Sequence, residues 1–194
     1  MNTQPQLIHI HVDDIPRLLG LLLQRKIAEL YDREVGDYKT HTGLSGGWML
    51  TIWLAYILSQ GDRTKYKVEA WARQHHAVLI QVTGQSFAPS DCNDNRLSAL
   101  LKHLRKPRRW ARFAAALWDH RVFVYALSPA SLGGLVSAHV ESTTACGFHE
   151  IVPGGVMQRG HSKDHWPDLG QLKLLTVAMH PFGHLAATDV VPGQ

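Results

Sequence analysis

The sequence predicts an α+β protein, with an all-helical N-terminal domain over 1–130 and three antiparallel strands over 131–194. Three observations carry this. Apolar residues recur at helical spacing as far as residue 127. Pro129, Gly133 and Gly134 then punctuate the chain. Beyond them the apolar period shortens towards two. At 194 residues and 45% hydrophobic, the chain is long and apolar enough to bury a core. That apolar fraction argues against disorder, and no tandem repeat suggests a solenoid.

Each element has a local reason. Asp13 or Asp14 is placed to cap a helix that opens with Ile15 and Pro16, proline suiting the first turn. Ile15, Leu18, Leu19, Leu22, Leu23, Ile27 and Leu30 form one stripe, predicting a single helix. After a polar stretch over 36–45, Ser45 caps a second helix that runs to about Ser59 and stops at Gly61. Its segment Trp48 to Leu58 is apolar nearly all round, which places it in the centre of the core. A third helix is expected from about Arg63, with Val68, Trp71, Ala72 and His75 on one face, continuing to Val82. A loop over 85–93 contains Pro89. Asn93 or Asp94 then caps a helix with Leu97, Leu100, Leu101 and Leu104 inward. Pro107 opens the last helix, with the stripe Trp110, Phe113, Ala114, Leu117, Trp118 and Tyr125. Strands are expected over Leu135–Glu141, Leu172–Met179 and Leu185–Val191, the last two joined by a short connection containing Gly183.

Charge is unevenly spread. Residues 1–128 carry 17 basic and 11 acidic side chains, and 129–194 carry 3 and 5. Arg96 to Arg121 holds eight basic residues against one acid, Asp119. Lys102, Arg105, Lys106, Arg108, Arg109 and Arg112 are therefore candidate ligands for the phosphates of a polyanion. A solvated helix face is the plainer reading of such residues, but interleaved acids are nearly absent. The tryptophans of the helical part fall at helical spacing and read as core. Two cysteines, Cys92 and Cys146, cannot make a disulfide framework and fit a reducing interior. The N-terminus lacks the pattern of a signal peptide. The longest apolar run falls short of the roughly 18 residues a membrane span needs. A soluble cytoplasmic chain is expected, and with a DNA partner a nucleoid-associated one; no membrane partner is expected.

In the C-terminal part, Glu141 is expected at the end of a buried strand, followed by Ser142, Thr143 and Thr144. A buried carboxylate there needs a partner or a metal; a strand-end acid facing water is the alternative. The loop Gly160-His161-Ser162-Lys163-Asp164-His165-Trp166-Pro167-Asp168-Leu169 is dense in polar groups between apolar strands, where function tends to sit. Asp164 and Asp168 could instead hold turns. Cys146-x2-His149 and His161-x3-His165 together have a zinc-finger ligand count, although Pro153, Gly154 and Gly155 interrupt the middle.

The strings Glu141-Ser142-Thr143-Thr144 and Gly160-His161-Ser162-Lys163-Asp164-His165-x-Pro167-Asp168-Leu169-x-Gln171 resemble the start of the catalytic domain of bacterial insertion-sequence transposases. Leu44-Ser45-Gly46-Gly47 and Asn93-Asp94-Asn95-Arg96-Leu97 resemble the helical domain of unknown function that precedes it in one branch. The resemblance implies that the strands begin an RNase H-like sheet. It also implies the parent activity, DNA transposition by metal-dependent phosphodiester cleavage and strand transfer, with Mg²⁺ held by three carboxylates. Glu141 stands where the family has its first aspartate, so it is the candidate catalytic and metal-binding residue. The other two carboxylates would follow residue 194, and Asp189 matches neither. The chain is accordingly expected to look truncated, not to bind the family's Mg²⁺ productively and to be inactive by itself. Its expected partners are transposon ends, a full-length transposase or a second copy. The alternative function is a non-catalytic DNA-binding fragment or an inhibitor of a full-length transposase.

Overall fold

The computed structural model describes residues 12–36, 43–128, 133, 137–160, 168–180 and 183–193. Helix α1 (Ile15–Gln24) has Pro16 in its first turn and buries Ile15, Leu19 and Leu22. Asp14 holds the capping position, but its side chain makes no capping bond. The single helix expected through Leu30 is in fact two. The chain turns at Lys26, which adopts a left-handed φ of 52°, and restarts as α2 (Ile27–Glu34). No Gly or Pro marks the break. It allows α1 and α2 each to lay an apolar face on α3, which one straight rod could not do along the whole stripe.

Helix α3 (Gly46–Gln60) follows its sequence signals at both ends. The Ser45 hydroxyl accepts from Trp48 N, and Gly61 closes the helix at φ 62°. Met49, Leu50, Ile52, Trp53, Ala55 and Tyr56 are all buried, so this helix is the centre of the core. Beyond it, a 3-10 turn leads into α4 (Val68–Gln74) and α5 (His76–Thr83). The expected continuous helix is thus divided at His75 (φ −103°, ψ 15°). Val68, Trp71, Ala72 and His75 are buried as their spacing predicts, and burial pushes the His75 imidazole below its ordinary pKa.

The expected loop around Pro89 contains a 3-10 turn, Pro89–Cys92. Asn93 then caps α6 (Asp94–Leu104) by accepting from Arg96 N at 2.9 Å. Leu97 and Leu100 are buried, whereas Leu101 is exposed, contrary to its expected inward position. Helix α7 (Pro107–Val124) buries Phe113 and Ala116, with Phe113 edge-on to Tyr31 of α2 at 5.6 Å. Trp110 is 42% exposed and Tyr125 lies beyond the helix, also exposed, so neither belongs to the expected core stripe. Helix α7 packs on α2, and its two buried residues lie near its middle, so the helix is longer than its buried face.

Residues Met1–Val124 and Tyr125–Gln194 form separate compact units. The boundary expected near 130 falls on 129–132, outside the described residues. The second unit is a three-stranded antiparallel sheet in the order β1 (Ala138–Gly147), β2 (Gly170–Met179) and β3 (His184–Pro192). The α+β class and the three antiparallel strands match the expectation. The first strand does not match in extent: it was expected over 135–141, and β1 runs on to Gly147, paired throughout with β2. Residues 134–136 lie outside the described residues. Polar Ser142–Thr144 carry no alternation that would announce a strand; the partner strand extends it. Gln171 is fully buried at the start of β2, exchanging backbone bonds with Gln158 and donating from Nε2 to Gly160 O at 2.9 Å. Ala138 to Thr143 of β1 are exposed. No helix among the described residues is long and apolar enough to cross a membrane.

Candidate nucleic-acid interface

The end of α6, the tight turn after it and the start of α7 gather the basic residues on one corner. Lys102, Arg105, Lys106 and Arg108 are exposed there. Among the described residues none of the four has a carboxylate partner. The other two candidates serve the fold. Arg109 donates from Nη1 to His103 Nδ1 at 2.6 Å. Arg112 donates from Nη2 to Glu34 O at 2.5 Å, satisfying a carbonyl at the C-terminal end of α2. Among the described residues an open groove of about 900 Å³ is lined by Lys106, Pro107, Arg108, Arg109, Ala111 and Arg112.

Local chemistry explains why this corner is electropositive. Pro107 starts α7, and no acid stands in its first turn. The N-terminal end of a helix is already positive, so cations there repel it by a few tenths of a kcal/mol or more, and an anion relieves both. Arg96, the first residue of the basic stretch, is a correction to the charge reading. It turns inward, pairing with Asp91 and donating from Nη2 to Leu44 O at 2.8 Å. Asp91 in turn accepts from Leu44 N at 3.3 Å and Ala88 N at 3.1 Å. An acid five residues before the arginine was the available signal, but it does not reveal the contact with Leu44.

The carboxylates do not assemble a comparable site. Glu141 is not at the end of a buried strand; it is exposed in the middle of β1, opposite Thr176, which is opposite Thr188. Asp189 follows Thr188 and pairs with Leu175, so strand alternation puts it on the other face from Glu141. These two acids do not fit a shared Mg²⁺ centre, which needs carboxylates converging on one point. Asp168 is exposed in the turn before β2. His161, Ser162, Lys163, Asp164 and His165 lie outside the described residues. Of the zinc pattern, Cys146 and His149 are exposed, and both partner histidines fall in that same stretch. Among the described residues no three His, Cys, Asp or Glu side chains form a metal-holding group.

The two thiols differ sharply. Burial pushes the Cys92 thiol up to about 12, with the nearby Asp91 charge adding to the shift, while Cys146 is exposed on β1. Ellman's reagent is expected to titrate one thiol in the native protein and two in denaturant; rapid reaction of both in the native state would contradict the burial of Cys92.

No protein-family model, curated protein or solved structure matches the chain.

Proposed function

We propose that the chain is a DNA-binding portion of an insertion-sequence transposase that grips duplex phosphates with the α6–α7 corner and performs no strand transfer by itself. The observation that carries the reading is the cluster of four exposed cations, Lys102, Arg105, Lys106 and Arg108, unpaired among the described residues and set around the start of α7. Cations without carboxylate partners on a short arc suit a regularly spaced polyanion, and phosphate contacts of this kind position a protein without reading sequence. The transposase half of the proposal rests on the motif resemblance. The exposed position of Glu141, with no group of three metal-ligating side chains among the described residues, supports the non-catalytic half. Such a chain would compete with a complete transposase for the same DNA.

Fluorescence anisotropy with a labelled duplex is the test. Four phosphate contacts predict about a hundredfold weaker binding between about 50 and 200 mM salt. Changing Lys102, Arg105, Lys106 and Arg108 together to Glu is expected to abolish binding while leaving the helical circular dichroism intact. Salt-insensitive binding, or binding that survives the fourfold change, would sink the proposal.

A further inference from the structure

We propose that the outer edge of β1 pairs with the same edge of a second copy of this chain, antiparallel about a two-fold axis at Thr143, joining two sheets into one of six strands. The strand order leaves β1 at an edge among the described residues. An edge strand presents a row of unpaired backbone donors and acceptors whose natural complement is another strand. Proteins usually guard such an edge with lysine, proline or a bulge. Strand β1 has none of these over its ten residues, and its register with β2 is unbroken. The opposite edge is guarded: β3 ends in Pro192 and meets β2 through an irregularity at Val177/Ala178. Val140, 70% exposed on β1, also has apolar surface to cover.

Charge and symmetry choose the occupant. A two-fold axis perpendicular to the sheet pairs a residue with its own copy and steps outward from there. Glu141 is the only acidic or basic residue in Ala138–Gly147 apart from His139. Centring the axis on Glu141 would set two carboxylates face to face, which destabilises the pair. Centring it on Thr143 sets Thr143 against Thr143 of the second copy, a favourable cross-strand pair, and Glu141 against neutral Ala145. No basic strand is required, so the chain is its own complement. A three-stranded sheet with little buried surface also gains most from added strands.

Sedimentation equilibrium of the full chain tests this. A mass of twice 21.7 kDa is expected at about 100 µM, dissociating on dilution as mass action requires. Thr143→Lys places two ammonium groups at the axis and is expected to restore the monomer. Thr143→Val and Thr188→Lys, the latter on the opposite edge, are expected to keep the dimer. Amide exchange covers the case in which Thr143→Lys fails to fold: β1 amides of the unaltered protein should slow with rising concentration. A monomer at about 100 µM would overturn the proposal. So would a dimer that survives Thr143→Lys with its sheet intact, or β1 exchange that ignores concentration. None of these results depends on DNA, so this proposal can fail while the DNA-binding one stands.

Discussion

Asp91→Ala is expected to destabilise the helical unit by about 3–5 kcal/mol, the cost of removing one partner from a buried ion pair. The Asp91 and Arg96 side chains are only 12% and 13% exposed. Each makes bonds beyond the pair: the carboxylate holds the amides of Leu44 and Ala88, and the guanidinium holds the Leu44 carbonyl. Alanine at 91 would leave a buried cation and two amides without acceptors, and unmade bonds of this kind cost more than made ones contribute. The clasp joins the entrance of α3 to the start of α6, so both helix ends should loosen together. Urea unfolding is the measurement. Arg96→Ala should cost a similar amount, and the double variant less than the sum of the two, because removing both charges leaves neither stranded. If both single variants lose less than about 1 kcal/mol, the pair behaves as a solvated surface contact and the structural role assigned to it is wrong.

Gly47→Ala should be nearly as damaging, at about 3 kcal/mol, the upper end of what overpacking a core costs. On helix propensity alone the change would help, since alanine is favoured over glycine by about 1 kcal/mol in a helix interior. Packing reverses the sign. A Cβ on Gly47 would lie 2.1 Å from Ala28 O and 2.8 Å from Ala28 Cα, both in the backbone of α2. Backbone cannot rotate aside, so α2 and α3 would have to separate. That separation would also strain the 2.7 Å bond from Gly47 N to Asp32 Oδ1 and the 2.5 Å bond from the Ser45 hydroxyl to Oδ2. The adjacent Gly46→Ala meets only the Tyr31 ring, 2.7 Å away at Cε1, which is a side chain and can shift. Thermal melts of the two variants should therefore rank Gly47→Ala well below Gly46→Ala. A melting temperature for Gly47→Ala at or above that of the unaltered protein would contradict the close approach of these helices.

The candidate interface was partly legible in the sequence. Lys102, Arg105, Lys106 and Arg108 are exposed on one corner because the turn before Pro107 is short and polar, and the sequence displays that directly. Arg109 and Arg112 looked the same in sequence but bond His103 and Glu34, the latter 78 positions away. Arg96 looked the same again and is internal. Glu141 was placed at a strand end because the residues after it are polar; pairing with β2 made it mid-strand.

What the sequence determined by itself was where elements start and stop when a cap or breaker acts within one turn. Ser45 and Gly61 bound α3, Asn93 opens α6, Pro107 opens α7, and Gly183 sits in the turn between β2 and β3. Those interactions are local, so the information lies within a few residues. The tertiary structure alone decided the breaks at Lys26 and His75, the close approach at Gly47, the inward turn of Arg96 and the opposite faces of Glu141 and Asp189. Each depends on groups far apart in sequence, Arg96 and Leu44 being 52 positions apart. Burial and pairing set the energy of a charge, and neither exists until the chain has folded.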